Sequence, residues 1–283
     1  MNKQQADAAP VVAVKQKATY VRIVEAENLV CAETHRRFGK AFEAFVNGID
    51  ALLELSYLDT FIPIDQGSND YQFYVHVRHL YYEIPTSFRS CISLTERGLY
   101  SDAFNCLRSI LEVLVKHKFL LKNKDKIMAY ETDGKNASGV KVTIRRAFEE
   151  TCGVGVQKVV YRLGSQFEHK NFATGLPLLR ARLNREKEYT LTPDFQQQLC
   201  EGVINHLMYL IFGFLSLSEH FFSFKWTDAS LRERHHGIKG FLAKQIHDRR
   251  AQFPHAAEWN SAMERTVCMA ISEIDSSIIL ITP

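Results

Sequence analysis

At 283 residues, 46% hydrophobic and 24% charged, the chain has apolar material for one large domain or two small ones. A formal charge of +3 does not by itself imply a nucleic-acid partner, and 14 glycines and 7 prolines are too few for a turn-rich sheet protein. The six cysteines are scattered with no close pair, which argues for a reduced, cytosolic protein and against a disulfide framework or zinc knuckle.

The N-terminus has no sustained apolar segment of the signal-peptide kind, and residues 1–18 read as a loose polar tail. A long helix is expected from Tyr20 to Leu58, with Val24, Phe38, Phe45, Leu52 and Leu55 inward and weak points at Gly39 and Asn47-Gly48. Thr60 to Asp70 is a loop. Tyr71 to Arg97 forms a second helix, with Phe73, Val77, Leu80, Ile84 and Phe88 on one side, a kink at Pro85 and a stop at Gly98. Ser101 or Asp102 then caps a helix over Leu99 to Leu121. That helix is apolar nearly all round (Ala103, Leu107, Ile110, Leu111, Leu114 and Leu121 on its main face), so it reads as the central member of a bundle. The short connection makes it antiparallel to the helix before it.

Beyond Lys122 the pattern gives a short helix to about Glu131, then helices over Val140 to Glu150 and Val154 to Lys170. Leu176 to Leu191 alternates loosely, and Asn184-Arg185 can turn a hairpin. Thr192-Pro193-Asp194 starts a helix reaching about Phe224. Its greasy run, Leu207 to Leu217, is about half of a membrane span and reads as a buried helix. Two last helices, Ser230 to Gln252 and Ala256 to Leu280, complete the chain. The expected architecture is all-α: an antiparallel helical bundle over 19–225 with a short hairpin insertion, and a basic C-terminal helical extension over 226–283.

Polar residues at helical spacing mark the candidate chemistry. On the helix expected over Val154 to Lys170, Val156, Val159, Val160, Leu163 and Phe167 form a core face, while Lys158, Arg162, Ser165 and His169 share the opposite one. Arg162 and His169, two turns apart, can bracket a phosphate; the same face also reads as plain solvated surface. On the central helix Arg108 and Glu112 are four residues apart and can pair with each other or with Lys116. They read as an ion pair holding helices in register, or as a pair that orients a histidine.

The central helix with Arg108-x-x-x-Glu112, followed about fifty residues later by Arg162-x6-His169, resembles the HEPN superfamily. These are all-helical domains of toxin–antitoxin, abortive-infection and other antiphage systems. The likeness is closest to a diverged, uncharacterised branch. By helix order it covers roughly residues 20–222. It implies a metal-independent endoribonuclease whose site is completed across a homodimer, with RNA as substrate, no cofactor, and an antitoxin or defence-system partner. Carried over, His169 is the general base or acid at the ribose 2′-hydroxyl and leaving oxygen, and Arg162 stabilises charge on the phosphate. Ser165, Lys158, Arg108 and Glu112 would support them.

Two further clusters stand apart. His76, His79 and Glu83 share one helix side at a spacing that can hold a metal, without a second cluster of comparable quality. Leu231 to Arg250 is a basic amphipathic helix with Leu231, Ile238, Phe241, Leu242 and Ile246 on its apolar side. Its Arg232, Arg234, Lys239, Lys244, Arg249 and Arg250 read as nucleic-acid contacts or as a solvated face. Phosphate-cradling glycine loops, dinucleotide fingerprints and G-x-S-x-G nucleophiles are missing, which disfavours nucleotide-driven and covalent hydrolase chemistry. The competing functional reading is a non-catalytic helical module that binds a partner protein, an RNA or a small ligand.

Overall fold

A computed structural model of the chain describes residues 20–58, 69–124, 143–154, 193–221, 229–252 and 265–271. The helices are α1 (Tyr20–Leu58), α2 (Asn69–Glu96), α3 (Tyr100–Lys122), α4 (Ile144–Cys152), α5 (Gln197–Phe221) and α6 (Ala229–Gln252), followed by a short α7 over 265–271. No strand occurs among the described residues, and the protein is an all-α bundle. The tail over 1–18, the loop from Thr60, the hairpin span and the Val154–Lys170 helix beyond its first residue lie outside the described residues.

Helix ends follow local chemistry. Thr143 caps α4, its hydroxyl accepting from the Arg146 N–H at 3.2 Å. At the end of α2 the chain reverses through Gly98, whose φ of +76° suits a residue without Cβ, and the Leu99 N–H closes onto the Leu94 carbonyl at 2.9 Å. Neither Ser101 nor Asp102 caps α3. The N-cap position is Leu99, with no side-chain cap, and Asp102 lies instead in the first turn, where a carboxylate complements the helix dipole. Pro85 is accommodated inside α2, and α1 breaks its helical geometry at Phe38 (φ −124°, ψ 18°), beside the weak Gly39.

Around α3 pack α2, α4 and α5; α1 packs on α2, α5 and α6, and α6 also lies on α5. The most enclosed helix is therefore α5 rather than α3. Every residue from Cys200 to Ser218 is buried, whereas α3 keeps a half-open polar stripe. The apolar stretch of α5 is also longer than Leu207 to Leu217. Gln197–Glu219 is long and apolar enough to cross a membrane by length and composition, but 94% of that window is buried inside the bundle. Its hydrophobicity is consumed by packing against four neighbours.

Pro193 does not open α5. Residues 193–196 are irregular and cross the α2–α3 turn, bringing the Asp194 carbonyl and the Pro193 ring within 3.4 and 3.5 Å of where a Cβ on Gly98 would sit. The Tyr100 hydroxyl accepts from the Gln196 N–H at 3.4 Å, and α5 starts at Gln197.

The C-terminal segment joins the same core. Leu242, Ala243 and Ile246 of α6 and Val267, Ala270 and Ile271 of α7 belong to the cluster that contains Phe45, Leu111 and Leu207. Where α1 crosses α5, Gly48 lets the backbones approach closely: a Cβ there would stand 2.4 Å from the Ile211 Cγ2 methyl. Gly48→Ala is therefore expected to destabilise by about 1–2 kcal/mol, since overpacking outweighs the ~1 kcal/mol of helix propensity that alanine gains. Urea denaturation of the variant checks this; a rise in midpoint would contradict the close crossing.

Candidate functional site

The candidate face of the bundle is the polar stripe of α3. Asp102, Asn105, Ser109, Glu112 and Lys116 recur at helical spacing and are exposed or half-buried, with Arg108 beside them. The Arg108 Nε donates to Glu112 Oε1 at 3.2 Å, and the two side chains are 22% and 20% exposed. It is a half-buried i,i+4 pair, local to α3. A guanidinium and a carboxylate paired on one helix face can help to orient a third polar group. One turn earlier the Asn105 Oδ1 is buried without a hydrogen-bond partner among the described residues.

The opposite side of α3 carries polar groups that the sequence pattern did not single out. His117 and Lys118 are buried, at 0% and 2% exposure. The imidazole meets the Tyr81 ring edge-on at 5.5 Å, and the Tyr81 hydroxyl accepts from Ser218 at 2.7 Å. Burial pushes the Tyr81 phenol well above its ordinary range, so it stays neutral. A helical wheel places His117 and Lys118 only by angle; the enclosure of His117 depends on Tyr81 of α2, itself bonded to Ser218 of α5, arriving from distant sequence.

Lys158, Arg162, Ser165 and His169 lie outside the described residues. The cations of α6 are placed, and they do not form one face. Arg232 and Lys244 are exposed, and Arg234, also exposed, pairs with Glu54 of α1. Lys239 is 3% exposed: its ammonium lies 2.5 Å from Glu219 Oε2 and 5.6 Å from the Phe212 ring centroid. Arg249 is buried too, donating to Asn205 Oδ1 at 2.7 Å with its guanidinium 5.0 Å from the Phe38 ring. These two are removed from the expected nucleic-acid contact set. The strip of α6 that holds them packs on α1 and α5, and each has been matched to an acceptor there. The Arg250 side chain is outside the described set.

His76 and His79 lie on α2 with their side chains outside the described set, and Glu83 is exposed. A different trio converges at the α1–α2 packing surface: the ligand atoms of Cys31, His35 and Glu96 all lie within 4.8 Å of one another. All six cysteines are free thiols.

Residues 74–152 match a family of unknown function, DUF5677. That segment takes in most of α2 with α3 and α4, and so contains Arg108 and Glu112 but neither Arg162 nor His169. No curated protein and no solved structure matches the chain.

Proposed function

We propose that the protein is a HEPN-like, metal-independent endoribonuclease acting in the cytoplasm as a toxin or antiphage effector, with its site completed in a homodimer. The observation that carries this reading is the Arg108–Glu112 pair. It lies half-open on a helix central to the family-matched segment, in a bundle whose other central helix is sealed. A guanidinium–carboxylate pair held at partial exposure is suited to orient an imidazole from a neighbouring helix.

In this mechanism His169 takes the proton of a ribose 2′-hydroxyl, or returns one to the 5′ leaving oxygen. The 2′-oxygen bonds to phosphorus as the bond to the 5′-oxygen breaks, giving a 2′,3′-cyclic phosphate and a 5′-hydroxyl. Arg162 neutralises charge on the phosphoryl oxygens as it builds. Glu112 and Arg108 hold the histidine in orientation, and Lys158 and Ser165 support the phosphate.

The test incubates purified wild type and His169→Ala with total cellular RNA in EDTA. Wild type is expected to cleave, and the variant to be slower by about 10²–10⁴-fold, the range for loss of a general acid–base. Equal activity in the two proteins removes His169 from the chemistry. A folded wild type that neither cleaves RNA nor arrests growth on expression favours the non-catalytic binding module.

A further inference from the structure

We propose that Cys31, His35 and Glu96 form a three-ligand site for a thiophilic divalent cation, zinc by its chemistry, that ties α1 to the C-terminal end of α2. Cys31 and His35 are four residues apart and so project from the same side of α1, one turn from each other. Glu96 is the last residue of α2, and the packing of the two helices brings its Oε1 to 2.7 Å from the His35 Nε2.

Metal–ligand distances of about 2.0–2.3 Å in a tetrahedral zinc site put ligand atoms roughly 3.3–3.8 Å apart. The observed 2.7 Å pair has to open by about 1 Å, and ligand atoms up to 4.8 Å apart have to close by a similar amount. Side-chain rotation covers both changes.

The surroundings favour a cation over an ordinary surface ion pair. The His35 ring leans on Phe42 at a centroid distance of 4.8 Å, which restrains the imidazole. Nearby charges are already committed. Glu33 is held by Arg36 and Arg37 at 2.7 and 2.5 Å, and Arg97 pairs with Glu27 at 3.8 Å. Glu96 therefore has His35 and no guanidinium as its partner among the described residues. A thiolate, a neutral imidazole and a carboxylate sum to two negative charges, which one divalent cation neutralises. The mixed sulfur, nitrogen and oxygen set suits zinc and, for spectroscopy, cobalt(II). With Cys31 and Glu96 half-buried and His35 exposed, the fourth position is left to water.

The site is independent of the nuclease reading and is tested without RNA. Purified full-length protein, stripped with chelator, is titrated with cobalt(II) and then zinc. Wild type is expected to bind one equivalent, with a thiolate-to-cobalt charge-transfer band in the near ultraviolet that zinc abolishes. Cys31→Ser is expected to lose the band, and His35→Ala and Glu96→Gln to weaken binding at least tenfold, all with unchanged far-ultraviolet circular dichroism. Replacing both His76 and His79 with alanine should leave the band intact. His35→Cys supplies a second thiolate and should raise the band's intensity, which keeps the test sound if an alanine variant folds poorly. No band in wild type, or a band that survives Cys31→Ser, overturns the proposal. Equal zinc binding by wild type and a Cys31→Ser/His35→Ala/Glu96→Gln protein marks the metal as adventitious and overturns it too.

Discussion

Replacing Arg249 with alanine is expected to lower the free energy of unfolding by about 1–3 kcal/mol, the cost of leaving a buried polar group without its partner. Arg249 is 8% exposed, and its guanidinium donates to Asn205 at 2.7 Å and lies over Phe38. Its loss strands the Asn205 amide, which is 7% exposed, and withdraws the positive charge from the buried Glu201 nearby. It also opens a void beside the break in α1. Because Arg249 and Asn205 share one interaction, Arg249→Ala/Asn205→Ala should lose less than the sum of the single variants. Chemical denaturation measures all three. An Arg249 on a solvated nucleic-acid face would instead change stability by less than about 0.5 kcal/mol and weaken RNA binding. That outcome would separate α6 from the core.

His235 gives the second large effect, this time as a dependence on pH. It is fully buried on α6, and burial is the main cause that brings its pKa down from 6.5 to about 4, with Arg234, His236 and Lys239 adding repulsion. A depressed histidine pKa favours the neutral ring in the folded state, so at pH 5 the unfolded chain binds more protons than the native one. Stability from this group is therefore complete above about pH 6.5 and is lost as the pH falls toward 4, by about 3 kcal/mol in all. Urea midpoints at pH 7.5 and 4.5 read the loss. His235→Leu should remove most of the difference between the two, whereas an unchanged difference would assign acid sensitivity to other groups.

These two residues also mark where the sequence stops being readable. Apolar spacing defines α1, α2 and α3 almost to the residue, because each buries one broad stripe and ends at recognisable glycines or polar runs. What spacing cannot supply is the partner of a polar residue. Arg232, Lys239 and Arg249 look alike in the sequence of α6, yet the first meets water while the others meet Glu219 and Asn205 on α5. Similarly, Cys31 and His35 are one polar corner of a helix until α2 delivers Glu96, 61 positions from His35. The start of α5 was misleading for another reason: Thr192-Pro193-Asp194 has helix-start chemistry, but Pro193 and Asp194 are drawn across Gly98 by the packing of the α2–α3 turn. Arg108 and Glu112 were legible as a pair because their partnership is local to one helix.

The proposed nuclease activity rests on one chemical claim, attack of a ribose 2′-oxygen on the adjacent phosphate. The most direct test of that claim is the identity of the RNA ends. Total RNA treated with wild-type protein in EDTA should carry 2′,3′-cyclic phosphates and 5′-hydroxyls at the new termini. Such termini should be missing after treatment with Arg162→Ala or His169→Ala protein. Fragments bearing 3′-hydroxyls and 5′-phosphates, or cleavage that stops in EDTA, would contradict attack by the 2′-oxygen under an arginine and a histidine alone.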